Sequence, residues 1–75
     1  SVLDVMVPEK SHVSGRPIRD LDLEVPKECV IAAIIRDNQF VAPRGGTIIK
    51  EDDQVYFIGP AAAIRKACDM FMRKN

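Results

Sequence analysis

Seventy-five residues, 47% hydrophobic and 29% charged, suffice for one domain with its own core and exclude a two-domain enzyme with a cleft between its halves. Eleven basic residues balance eleven acidic ones, which argues against a nucleic-acid partner held by bulk charge. No apolar run nears the roughly 18 residues of a membrane span, and Ser1-Val2-Leu3-Asp4 lacks the layout of a signal peptide, so the chain reads as soluble, with no direct membrane insertion.

Val2-Leu3-Asp4-Val5-Met6-Val7 mixes β-branched and apolar residues and stops at Pro8, which predicts an edge-leaning strand with Leu3, Val5 and Val7 on its buried face. After a polar loop, Ser14-Gly15-Arg16-Pro17 predicts a helix start with Pro17 in the first turn. Ile18 and Leu21 give this short helix one apolar stripe. Pro26 disfavours helical geometry at Val25 and ends it near Leu21 or Asp22.

Cys29-Val30-Ile31-Ala32-Ala33-Ile34-Ile35 is an uninterrupted apolar run, rich in isoleucine and short for a helix, and so a predicted strand. Arg36-Asp37-Asn38-Gln39 turns it into Phe40-Val41-Ala42-Pro43, a hairpin with Asp37-Asn38 at its tip. A glycine turn, Arg44-Gly45-Gly46-Thr47, leads to the short extended Ile48-Ile49 and the acidic turn Lys50-Glu51-Asp52-Asp53. Gln54-Val55-Tyr56-Phe57-Ile58 is a further strand, closed by Gly59-Pro60. From Ala61 to about Arg73, Ile64, Ala67, Cys68 and Phe71 fall on one helical face and Arg65, Lys66 and Asp69 opposite. The expected fold is a single α+β domain over residues 1–75: a small, mostly antiparallel sheet, a short helix after strand 1 and a longer C-terminal helix.

A strand with one wet face alternates, and the run from Cys29 to Ile35 does not. In a regular strand Val30, Ala32 and Ile34 point one way and Cys29, Ile31, Ala33 and Ile35 the other. Leaving two or three such side chains in water forgoes about 5 kcal/mol, so a homodimer through this apolar strand is expected. Two helices on opposite faces of one chain's sheet are the alternative.

No catalytic set emerges. His12 has Ser11, Ser14 and Glu9 near it in sequence, but adjacency along a loop is not triad geometry, and Cys29 and Cys68 fall at core-facing positions with no neighbouring cation to lower their pKa. Two thiols and one histidine also fall short of four zinc ligands, and reduced thiols suit a cytosolic protein. Glu51-Asp52-Asp53 lacks the spacing of a calcium loop. The chain is read as not an enzyme. Two features stay open between a site and plain structure. Arg44-Gly45-Gly46-Thr47 is either an anion-binding turn or a strand connector. Arg36 either offers its planar fork to a carboxylate or phosphate at the dimer seam or makes a hairpin-end salt bridge with Asp37 or a neighbouring acid.

The order of these features resembles the TrkA-C domain, the C-terminal subdomain of RCK proteins. The resemblance rests on Val13-Ser14-Gly15-Arg16-Pro17-Ile18-Arg19-Asp20-Leu21, Ile34-Ile35-Arg36-Asp37, Phe40-Val41-Ala42-Pro43-Arg44-Gly45 and Ile49-Lys50-Glu51-Asp52-Asp53-Gln54-Val55-Tyr56-Phe57-Ile58-Gly59. Asp52 stands where the family commonly has glycine. The resemblance implies a ligand-sensing regulatory and dimerisation domain of a cation transport system, with potassium the expected ion. It would be a fragment of a longer chain, joined to a nucleotide-binding subdomain or a membrane transporter. The implied ligands are cyclic di-AMP or a divalent cation, held in a dimer groove by Asp22, Leu23, Cys29, Val30, Ile31, Arg36 and Pro43. Residues 20–28 carry four acids against one lysine, which opposes a phosphate. A purely structural dimerisation module without a ligand is the alternative.

Overall fold

The computed structural model describes residues 1–75. Strands β1 (Val2–Met6), β2 (Val30–Arg36), β3 (Gln39–Val41) and β4 (Gln54–Ile58) form one sheet in the order β1-β4-β2-β3, every neighbouring pair antiparallel. Helix α1 (Ala61–Met72) follows. Alternation along β4 decides which face is which: Val55 and Phe57 are buried, while Ile58 is exposed. The inner face packs on α1 through Ala63, Ile64, Ala67, Cys68, Met70 and Phe71, the stripe expected from the sequence with Ala63 and Met70 added. At its centre Phe57 and Phe71 meet edge to face, ring centroids 5.1 Å apart.

The hairpin turn closes as expected. Asp37 (φ 52°) and Asn38 (φ 63°) both occupy the left-handed region, the backbone of a primed turn that follows the twist of its strands. The glycine position held by Asp52 is also left-handed (φ 69°), which aspartate tolerates better than most residues.

Three expectations change. The helix after strand 1 is a single 3-10 turn, Ile18–Leu21. Pro17 and Pro26 leave only eight residues between them, too few to nucleate an α-helix, and tertiary bonds hold the turn instead, Ile18 N–H to Thr47 O at 3.0 Å and Arg19 N–H to Gly45 O at 2.9 Å. On β1, Val7 is buried and Val5 packs on the core, but Leu3 is half exposed. β1 is an edge strand, and a cavity lined by Leu3, Ala61, Ile64 and Cys68 separates it from the start of α1. The third change concerns β2. Ile31 pairs with Phe57 but Ala33 with Tyr56, so Ala32 is an extra residue, a β-bulge. The bulge reverses the alternation: Ile31 and Ile34 share the inner face with Phe57 and Val55, while Val30, Ala33 and Ile35 share the outer face with Ile58, Tyr56 and Gln54. The uninterrupted run thus partly reflects this change of phase, since both parities supply inward residues.

Gly59 permits one close approach. A Cβ there would lie 2.7 Å from the Glu28 carbonyl oxygen and 3.2 Å from Cys29 Cα, both backbone atoms, at a φ of 156° that side chains rarely adopt. Gly59→Ala is expected to cost about 2–3 kcal/mol, measured as a fall in the urea midpoint at unchanged slope; a loss within 0.5 kcal/mol would mean that the approach relaxes freely.

The C-terminal carbonyls of α1 find donors in the loop after β1. The buried Ser11 hydroxyl donates to Phe71 O at 2.6 Å, and His12 N–H to Arg73 O at 2.7 Å. No helix is long and apolar enough to cross a membrane.

Candidate ligand groove

The 3-10 turn, the connection after it, the start of β2 and the segment after β3 converge on a cavity of about 240 Å³. Ile18 and Leu21 come from the turn, Asp22 and Val25 from the connection, Cys29, Val30 and Ile31 from the entry to β2, and Pro43 from beyond β3. Short-range bonds set the connection against β2, Val25 N–H to Leu21 O at 2.9 Å and Cys29 N–H to Pro26 O at 3.0 Å. Asp22 is the one charged side chain among the lining residues, so the groove is apolar with a single carboxylate at its rim.

Asp22, Cys29, Val30, Ile31 and Pro43, all among the residues expected of a dimer groove, line this one cavity. Leu23 lies beside them, 98% exposed, without lining the cavity. Sequence reasoning missed Ile18, Leu21 and Val25. The apolar stripe of the short helix was the available signal, since a turn of four residues has too little surface to face the core alone.

Arg36 is elsewhere. Its Nε donates to Asp53 Oδ1 at 2.7 Å and its Nη2 to Asp53 Oδ2 at 2.8 Å and to Ile48 O at 2.9 Å. Of the two readings of Arg36, the structure therefore takes the salt bridge with a neighbouring acid, and Nη1 is the one guanidinium nitrogen left without a partner in the chain. Inward-facing Arg36 meets a fully buried carboxylate that also accepts the Lys50 N–H at 2.9 Å, and the bond to Asp53 raises the guanidinium pKa further. Asp53 is correspondingly not part of a solvated acidic turn. No group of three or more His, Cys, Asp or Glu side chains is placed to hold a metal ion.

A second cluster alters the electrostatics expected of residues 20–28. Glu24 accepts Arg16 Nη2 at 2.6 Å on one oxygen and His12 Nε2 at 2.7 Å on the other, with Arg16 Nη1 3.1 Å from the same ring nitrogen. One of the four acids in the segment is therefore already countered. The hydrogen bonds from Arg16, then His12, hold the Glu24 carboxyl below its ordinary 4.5. A carboxylate depressed in the folded state contributes stability that is complete above the unfolded value and disappears as acid protonates it. Melting temperature should thus fall as pH drops below about 4.5, and Glu24→Gln should remove part of that fall while lowering stability at pH 7. Identical acid profiles for the two proteins would rule the clamp out.

The same contacts engage the His12 ring with Glu24, and the neighbouring Ser11 hydroxyl is buried and committed to Phe71 O. Burial pushes the Cys29 and Cys68 thiols above their ordinary 9.0, so neither is an activated nucleophile.

Beyond the groove, the outer face of the sheet has no cover within the chain. Val2, Ile58 and Val30 form one cross-strand row, 64%, 47% and 59% exposed, and Phe40, paired with Ile35, is 63% exposed. The polar interruption is Asp4, which accepts Gln54 Nε2 at 2.7 Å. Val30 belongs to both surfaces, so this face is continuous with the groove.

Four antiparallel strands and one C-terminal helix, with an apolar groove beside an uncovered sheet face, define a small α+β domain. Residues 2–72 match the model of the TrkA-C domain family, and the chain belongs to that family. It is 32% identical over 71 residues to a Trk system potassium uptake protein TrkA homologue of Archaeoglobus fulgidus, covering 95% of this chain and 16% of that protein. It thus spans about a sixth of the relative's length. Among solved structures, it superposes with a TM-score of 0.80 on the RCK_C domain dimer of S. agalactiae BusR in complex with c-di-AMP, at 22% identity and 95% coverage of each chain. It also superposes, at 0.76 and 24% identity, on the RCK C domain of the potassium transport protein KtrA in complex with c-di-AMP, covering 92% of this chain and 80% of that one.

Proposed function

We propose that this chain is a ligand-sensing regulatory and dimerisation domain of a potassium-uptake system, in which two copies pair through the apolar strand β2 and the outer sheet face and enclose a small ligand in the groove. The carrying observation is the groove's size beside its continuity with that face. About 240 Å³ is below the roughly 300–1,000 Å³ typical of small-molecule pockets, so one chain supplies part of a site, and a second copy seated over Val30 completes it. Membership of a family whose curated relatives include potassium uptake proteins supports the transport role, and the c-di-AMP complexes of two structural neighbours make that molecule the first ligand to test. Regulation follows physically if the ligand prefers one arrangement of the two copies, since its differential affinity then shifts their population.

Sedimentation at micromolar concentration should report a dimer. Titration with c-di-AMP, and separately with divalent cations, should raise the melting temperature progressively with concentration, a ligand at 100 times its Kd contributing about 2.7 kcal/mol. A dimer with no ligand response leaves the purely structural module. A monomer at all accessible concentrations overturns the pairing.

A further inference from the structure

Ile18 and Pro43 both line the groove, and each is followed in sequence by an arginine. Arg19 and Arg44 flank the Gly45–Gly46 turn from two different segments. Backbone bonds fix the corner: Arg19 N–H donates to Gly45 O at 2.9 Å and Ile18 N–H to Thr47 O at 3.0 Å. The Thr47 hydroxyl accepts Arg44 N–H at 3.0 Å and donates to Ala42 O at 2.7 Å. Arg19 lies over the glycines, its Cβ 3.6 Å from where a Cβ on Gly45 would sit and its Nη1 3.5 Å from the equivalent point on Gly46. A longer side chain at Gly46 would crowd that guanidinium.

The donors of this corner are unused. The chain's three ion pairs belong to His12, Arg16 and Arg36, and neither the Arg19 nor the Arg44 side chain has an acceptor within the chain. The amide N–H groups of Gly45 and Gly46 likewise donate to no group of the protein. Two guanidinium groups without acidic partners and two adjacent free amides offer charge-assisted bonds of the kind phosphate oxygens accept. The Glu24 cluster offers nothing comparable, because Arg16 and His12 are already engaged there.

We infer that Arg19, Arg44 and the Gly45–Gly46 amides form an anion site that takes the phosphate group of a ligand whose apolar part lies in the groove. This rests on the groove reading proposed above for its ligand, but the anion site stands or falls separately. The test is amide NMR of the 75-residue chain, titrated at constant ionic strength with c-di-AMP and, in a second arm, with pyrophosphate alone. Both arms are repeated on the Arg19→Gln/Arg44→Gln variant, with its melting temperature as a check on folding. The Gly45 and Gly46 amides are expected to shift saturably with either probe. In the variant the pyrophosphate shifts should vanish, and c-di-AMP should bind about tenfold or more weakly with a shallower salt dependence. Pyrophosphate shifts without any c-di-AMP response would keep the anion site and remove the cyclic dinucleotide as groove ligand. Shifts at Val25 and Ile31 with c-di-AMP, at unchanged affinity in the variant, would keep the groove and overturn the anion site. Gly45 and Gly46 amides unmoved by both probes would overturn it as well.

Discussion

Arg36→Ala is expected to destabilise the domain by about 3–5 kcal/mol, because it leaves the fully buried Asp53 carboxylate without its counter-charge. A domain of this length has roughly 4–11 kcal/mol in total, so the variant should lose a large share of it. The damage should also spread. Arg36 Nη2 holds Ile48 O, Ile48 pairs with Pro17 in an isolated bridge, and the adjoining turn supplies Ile18 and Leu21 to the groove. Asp53→Ala should cost less, because the guanidinium it abandons keeps some access to water, 26% of the side chain being exposed. Replacing both partners with Arg36→Met and Asp53→Leu should cost far less than the two single losses combined. Urea unfolding of the four proteins checks this, and an Arg36→Ala loss below 1 kcal/mol would show that the pair is incidental.

Phe71→Ala should cost a similar 3–5 kcal/mol for a different reason: the lost ring leaves a void against Phe57, both being fully buried. The carbonyl of Phe71 also accepts the Ser11 hydroxyl, so collapse around the void would disturb the loop that closes the end of α1. Phe71→Leu fills most of the space and should lose only about 1–1.5 kcal/mol. Thermal unfolding of both variants separates volume from shape; equal losses would mean that the edge-to-face geometry, and not the cavity, sets the cost.

Much of this architecture was legible because local chemistry and tertiary role agree. The stripe of Ile64, Ala67, Cys68 and Phe71 specified both the helix and its buried face, and Asp37-Asn38 specified a left-handed turn. The groove was legible only through family resemblance, since Val30 and Pro43 carry no reactive group to mark them and Asp22 is one of four acids in its segment. Arg36 was ambiguous because a guanidinium at a strand end suits a ligand and a carboxylate equally well. The deciding partner, Asp53, is 17 positions away and reads as a surface acid until its burial is seen. Ala32 could not be read as a bulge at all: in a run of seven apolar residues, one surplus residue leaves no polar mismatch to betray the change of phase.

That surplus residue has a consequence for how the strand can vary. Ahead of it, Val30 faces outward at the groove, and behind it, Ile34 is locked in the interior. A polar replacement of Val30 changes the chemistry of the exposed surface at little expense to folding, whereas one at Ile34 unmakes the domain. Removing Ala32 would leave Ile31 opposite Phe57 and Ala33 opposite Tyr56 in an unbroken ladder, so Val30 would keep its outward place. The exposed chemistry of this corner of the molecule is therefore free to vary independently of the scaffold that carries it.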